Sequence, residues 1–287
     1  LSQELLKDIE ITTPSQTALL DSFNDNALKV EDITVVDMFR RQVAKNGEKT
    51  AVVFKDQKIT YQELDDLSDR VAAHLAERGL VKGDVVSILI SRNTFMSITV
   101  LGVLKAGCVY EPLDPTYPKE RLNFMMKDAD AKYLIAEEDL RELVDEYEGD
   151  VLFTSDIASL PETSLQVPAP QPEDLFTLLY TSGSTGIPKG CRWNHRNIAH
   201  FAQIHRHRIQ INASSKVTAY ASFGFDANAM EQYSTLTAGA TLYIIPEEIR
   251  LDLIALNNYI NEQGITHLFM TTQVAYQFAT SMENHTL

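Results

Sequence analysis

Apolar positions run along this chain in two alternating rhythms. Short, nearly unbroken apolar stretches at 51–54, 85–90, 132–136, 175–180, 216–221, 240–245 and 266–270 read as strands, and continuity of this kind belongs to strands covered on both faces. Between them, apolar residues fall at helical spacing. Thr60 and Glu63 are placed to form a capping box for a helix that carries Leu64, Leu67, Val71 and Leu75 on one face and stops at Gly79. Further helices are predicted at 94–106, ended by Gly107, and at 118–128, 194–210, 227–238 and 251–263. Pro112, Pro115 and Pro118 make the stretch around them an extended turn.

Repeated strand–helix alternation predicts an α/β fold of two layered, mainly parallel β-sheets flanked by helices. Residues 1–30 are polar and weakly periodic and read as a linker. Residues 155–174 hold four of the ten prolines and read as a surface connection, which divides the rest into one layer at 31–154 and a second at 175–287.

Composition narrows the partners. A formal charge of −15 disfavours nucleic acid, although acidity also serves solubility alone. A basic island follows residue 190: Arg192, His195, Arg196, His205, Arg206, His207 and Arg208; its last four residues equally suit a solvated helix C-terminus. Cys108 and Cys191 have no framework spacing, which fits a reducing, cytoplasmic setting. Cys191 and His195 are four apart, but two ligands do not make a zinc site. No signal-peptide pattern opens the sequence, and no apolar run approaches the ~20 residues of a membrane span.

The densest chemistry lies at 180–190, Tyr-Thr-Ser-Gly-Ser-Thr-Gly-Ile-Pro-Lys-Gly. Glycines let the backbone close on an anion, hydroxyls add donors and Lys189 adds charge. The spacing is neither that of a Walker A loop nor that of a dinucleotide fingerprint. A solvated Gly/Ser linker is the plain alternative. Its place after a strand, and before a helix expected from 194, favours a phosphate-binding loop at the carboxyl end of a sheet.

These residues, with their neighbours, resemble the signature motifs of adenylate-forming enzymes. Tyr61-Gln62-Glu63-Leu64 resembles the first core motif and the run from Leu104 to Pro115 the second. The loop with Gly190–Asn197 resembles the third, and Phe225-Asp226-Ala227-Asn228-Ala229-Met230-Glu231 the fourth. The pattern is most similar to amino-acid adenylation domains of nonribosomal peptide synthetases. That resemblance implies activation of an amino acid with ATP as aminoacyl-AMP, then transfer to a phosphopantetheine thiol on a carrier domain, with a condensation-type domain preceding. By the same resemblance Thr181, Ser182, Gly183, Ser184, Thr185, Gly186 and Lys189 grip the ATP phosphates. Thr181 or Thr185 would then touch Mg²⁺. Asp226 would hold the substrate's α-ammonium, and Phe225, Ala227, Met230 and Phe269 would contact the rest, implying a hydrophobic substrate.

Simpler readings stand beside these. Asp226 suits a helix N-cap, Met230 and Phe269 suit a core, Phe225 suits packing, His195 suits a helix start, and Glu231 reads as structural. Glu111 stands where the second motif usually has an apolar residue, and Cys191 and Trp193 are unusual choices after the loop. The sequence ends at Leu287, before the positions of the family's fifth motif, ribose-binding aspartate, hinge and small C-terminal domain with its catalytic lysine. The expectation is therefore an incomplete large N-terminal domain with no certain catalytic residue, inactive alone. The rival functions are an acyl- or aryl-CoA ligase of the same superfamily and a non-catalytic nucleotide-binding fragment.

Overall fold

A computed structural model describes residues 12–25, 27–162, 167–182 and 188–282. The chain forms two compact units, Leu1–Glu31 and Asp32–Leu287. In the first, helix α1 (Pro14–Asn24) starts with proline at its first turn and a reciprocal Thr13–Gln16 capping box.

The second unit opens with helix α2 (Val35–Asn46), capped by Thr34, whose hydroxyl accepts from the Asp37 amide. A hairpin follows, β1 (Thr50–Phe54) and β2 (Gln57–Thr60), leading directly into α3 (Tyr61–Glu77), where the expected Thr60–Glu63 capping box forms. Then come β3 (Val85–Leu89), α4 (Phe95–Lys105), β4 (Val109–Leu113), α5 (Lys119–Asp128), β5 (Tyr133–Ala136) and β6 (Val151–Phe153). After the proline-rich connection lie β7 (Leu175–Thr181), β8 (Lys189–Asn194), α6 (His195–Arg208), β9 (Lys216–Ala219), α7 (Asp226–Leu236) and β10 (Thr241–Ile244). Helices α8 (Glu247–Arg250), α9 (Leu253–Gln263) and α10 (Thr272–Met282) complete the order. No helix among the described residues is long and apolar enough to cross a membrane.

The strands make two sheets, in the orders β2-β1-β10-β9 and β6-β5-β3-β4-β7-β8. Each is parallel apart from one antiparallel edge strand, β2 in the first and β8 in the second. The sheets are not the consecutive halves expected at 31–154 and 175–287. β1 and β2 join β9 and β10, while β7 and β8 extend the sheet built from β3 to β6. The reason lies partly in Tyr61: its buried hydroxyl donates to the carbonyl of Ala240 at 2.7 Å and sits 3.2 Å from that of Leu236. That contact draws the β2–α3 junction to the end of α7 and the start of β10.

Alternation along the central strands supplies two cores. Val86, Ile88, Tyr110, Tyr133, Ile135 and Phe176 face the main core with α2, α3, α4, α6 and α7. Leu89, Val109, Leu113, Leu134 and Leu178 face a second, covered by Leu122, Met125 and Met126 of α5. Phe176 and Leu178 share parity yet face opposite cores because the register shifts between Leu175 and Thr177. Helix α4 approaches α3 closely at Gly102, where an added Cβ would lie 2.5 Å from Val71 Cβ.

Three local expectations are corrected. Residues 189–194 are a strand, so the glycine-rich loop closes a hairpin and does not lead straight into a helix. The stretch 266–270 makes only an isolated bridge, His267 to Val217. The helix expected at 251–263 begins at Leu253, because the Asp252 side chain accepts from the amides of Ile254 and Ala255.

Glu111, the departure noted in the second motif, is fully buried on β4. Ser87 Oγ donates to its Oε2, and Oε1 is without a partner. Burial pushes its carboxyl from 4.5 up to about 8, opposed by the Ser87 bond. The folded protein therefore keeps a proton that the unfolded chain releases. This contribution to stability is fully present below pH 4.5 and is lost as pH rises towards 8, by about 1.4 kcal/mol per pH unit per group. Glu111→Gln keeps the hydrogen bond and cannot ionise. Its urea midpoint is expected to match the parent near pH 5 and to exceed it at pH 8; parallel pH profiles would contradict this.

Candidate functional site

The strands that flank the glycine-rich loop are an antiparallel pair. β7 runs parallel to β4 and antiparallel to β8, with Thr181 opposite Lys189, Leu179 opposite Cys191 and Thr177 opposite Trp193. Opposed residues of an antiparallel pair share a face, so the Thr181 hydroxyl and the Lys189 ammonium stand side by side at the carboxyl edge of the sheet. Thr181, Ser182 and Lys189 are all exposed. Among the described residues, Thr181 Oγ1 makes a long contact to the Lys189 carbonyl, 3.4 Å. Gly183, Ser184, Thr185 and Gly186 lie outside the described residues.

The far end of β8 is fixed by the start of α6. Asn194 Oδ1 accepts from the Asn197 amide at 2.9 Å, and Asn197 Oδ1 accepts from the Asn194 amide at 3.1 Å. His195 is buried edge-on to Phe176, with ring centroids 5.1 Å apart. Burial pushes its imidazole down to about 4, against the pull of Asp174 and Asp37. It is therefore neutral at physiological pH and acts as packing beneath the hairpin. The basic run at the end of α6 is less solvated than its composition suggests: Arg206 donates to the Thr237 carbonyl at 2.7 Å, and His205 Nδ1 lies 2.9 Å from Ser234 Oγ.

Between α6 and α7 lies a cavity of about 630 Å³. Its lining brings together four of the residues expected to contact a substrate: Asp226, Ala227, Met230 and Phe269. Asp226, Met230 and Ser234 fall at helical spacing along α7, and Asn197 and Phe201 likewise along α6, so each helix turns one stripe to the cavity. Trp193 closes it from β8. The walls are mainly apolar, with the exposed Asp226 carboxylate the one charged group among the described lining residues. Asp226 is not the N-cap. It is the first helical residue, its Oδ1 accepts from the Ala227 amide at 2.8 Å, and the cap position belongs to Phe225, which makes no side-chain cap bond. A carboxylate there is still favoured by the helix dipole.

Phe225 goes elsewhere. Its extended backbone turns the ring out of the cavity, and it is 58% exposed. It borders a separate cleft of about 400 Å³ with Arg92, Asp114, Tyr117 and Arg250.

What holds Asp226 in place is a buried polar clamp. Glu231, on α7, accepts from the amides of Tyr220 at 2.7 Å and Ala221 at 2.9 Å, just past the end of β9. Burial pushes its carboxyl up to about 8, opposed by those two amides and by Arg92. Arg92, beyond β3 of the other sheet, donates to the carbonyls of Ile245 at 2.7 Å, Ala221 at 2.9 Å and Ala219. Asn228 Nδ2 donates to the Ala221 carbonyl at 3.2 Å. Segment 219–225, which delivers Asp226, is thus held from both of its neighbours. Sequence reading left Glu231 as structural and missed Arg92. Its one available signal was an arginine directly after a buried apolar strand.

The sequence profile described as AMP-binding enzyme matches residues 39–286. The chain is 36% identical over 294 residues to surfactin synthase subunit 2 of Bacillus subtilis (strain 168), covering 100% of this chain and 8% of that protein. Among solved structures, the nonribosomal peptide synthetase FmoA3 is similar at 26% identity with a TM-score of 0.80, covering 88% of this chain and 27% of that one. The N-terminal subdomain of Klebsiella oxytoca NpsA, in complex with 3-hydroxybenzoyl-AMSN, is 30% identical with a TM-score of 0.74, covering 83% and 59%. The chain therefore spans less than a tenth of the surfactin subunit.

Glu231→Gln would leave one of the two amides facing a donor. Removing one partner of a buried hydrogen bond costs about 1–3 kcal/mol, and the loss is expected as a lower urea midpoint at pH 7. A midpoint equal to the parent's would show that the two bonds carry no weight.

Proposed function

The chain belongs to the AMP-binding enzymes, and we propose that it activates a hydrophobic amino acid with ATP, forming an aminoacyl-adenylate and releasing pyrophosphate. The observation that carries this reading is the single carboxylate among the described lining residues, Asp226, at the rim of a mainly apolar cavity. A free amino acid presents that combination in reverse: one ammonium beside a carboxylate, and a side chain to bury. Fatty and aryl acids have no ammonium to pair with Asp226.

In this reading the substrate carboxylate oxygen attacks the α-phosphorus of ATP. The bond from that phosphorus to the bridging oxygen breaks, and pyrophosphate departs with the electron pair. Thr181, Ser182, Gly183, Ser184, Thr185, Gly186 and Lys189 hold the β- and γ-phosphates, through backbone amides and hydroxyls more than through the lone lysine charge. Thr181, exposed at the end of β7, or Thr185 would hold a Mg²⁺ ion accompanying ATP, which would supply neutralisation of phosphate charge. Asp226 fixes the ammonium, while Ala227, Met230 and Phe269 receive the side chain. Phe225, turned to the neighbouring cleft, borders the approach to the carboxylate.

Similarity to the surfactin synthase subunit and to the synthetase FmoA3 supports a second step in the whole protein. The thiol of a carrier-bound phosphopantetheine attacks the acyl carbon, and AMP leaves. A carrier domain and a condensation-type domain would be the partners.

ATP–pyrophosphate exchange tests the assignment in the full-length protein. Asp226→Ala is expected to lower kcat/KM for the preferred amino acid about thirtyfold or more, as for a lost charge partner worth about 2 kcal/mol, and to change that for the des-amino analogue little. Equal losses on both would remove the ammonium role. Ser184→Ala combined with Thr185→Ala is expected to weaken exchange with every substrate; unchanged exchange would remove the loop's role.

A further inference from the structure

The cavity has a wall that none of the expected contact residues supplies. It comes from β8 and α6: Trp193, Asn197, Ile198, Phe201 and Ala202. Trp193 is the largest side chain in that wall and the only tryptophan of the sequence. Its position is stiff on both sides. It pairs with Thr177, a buried residue whose hydroxyl donates to the Tyr110 carbonyl at 2.9 Å. The next residue, Asn194, is locked in the capping box of α6. The indole itself is half-buried, packed on the main core and bordering the cavity.

We propose that Trp193 is a specificity-determining residue of this pocket. It forms the rigid flank against which the substrate side chain packs, and it limits how large that side chain can be. Met230 and Phe269 face the cavity as well, but methionine adapts its shape and Phe269 lies outside regular secondary structure. An indole packed on the core from a paired strand gives way less readily than either. The same strand face carries Lys189, four residues and roughly 13 Å away along the strand. Side-chain fit at Trp193 and a phosphate contact at Lys189 would thus share one strand. The inference rests on the reading of the cavity as an amino-acid site.

The test is calorimetric titration of the 287-residue chain with ATP, then with L-valine, L-leucine, L-phenylalanine and L-tryptophan. Parent, Trp193→Ala and Trp193→Phe are compared, with quenching of the single tryptophan as a second readout in the parent. ATP binding by each variant reports that it is folded. The ratio of affinities for large over small side chains is expected to rise by about tenfold in Trp193→Ala, the scale of one or two buried methylenes, and by less in Trp193→Phe. Amino acids that bind the parent are expected to change its fluorescence. An unchanged ratio in both variants would overturn the role of Trp193 and leave the amino-acid reading standing. Failure of every amino acid to bind a parent that binds ATP would overturn that reading and this inference together.

Discussion

The site depends on how the chain leaves β9. Past Ala219 the backbone has no strand partner to satisfy it, and it must turn and start α7 with Asp226 facing the cavity. Glu231 reaches back one and a half turns of α7 to accept the two free amides, Tyr220 and Ala221. Arg92 reaches across from the other sheet to the carbonyls on the same segment. Donors and acceptors of one stretch of irregular backbone are thereby answered from two directions, in a region too buried for water to substitute. A loop held in this way can present a carboxylate at a fixed place without spending ligand-binding energy on ordering it.

The same contacts tie the two sheets to each other. Arg92 follows β3, and the carbonyls it holds end β9 and β10. The strands of one sheet and the clamp of the other therefore meet at their carboxyl ends, where ligands of parallel sheets bind. The hairpin of β7 and β8 brings its loop to that edge, and the strand it returns on supplies Trp193 to the cavity. Lys189, the Trp193–Phe201 wall and Asp226 then rest on three neighbouring pieces of backbone, β8, α6 and α7.

Much of this was legible in the chain. The Thr60–Glu63 box, Gly79, Gly107 and the apolar strands other than 266–270 carry local signals, and they fall where expected. Asp226, Ala227, Met230 and Phe269 were grouped by the motif resemblance, and all four line one cavity. Three features could not be read. The pairing of β1 with β10 depends on the long-range bonds of Tyr61, which leave no periodic trace. Strand β8 was hidden because Lys189–Asn194 alternates polar residues at an exposed sheet edge, where no apolar run is needed. Phe225 was grouped with Asp226 by the same resemblance, yet the change from extended to helical backbone between them sends their side chains to different cavities. Helix α2 was legible in principle, since Thr34 precedes Val35, Phe39 and Val43 at helical spacing, but the polar residues between them obscured it.

Amide hydrogen exchange at Tyr220 and Ala221 tests most directly whether this clamp fixes the site. These two amides belong to no helix or strand, so ordinary loop behaviour would exchange them within seconds. The clamp predicts protection approaching that of the β9 and β10 core amides, lost selectively when Arg92 or Glu231 is replaced. Exchange as fast as in an exposed loop would contradict the account: Asp226 would then be delivered by a mobile segment, and the cavity would not be preformed.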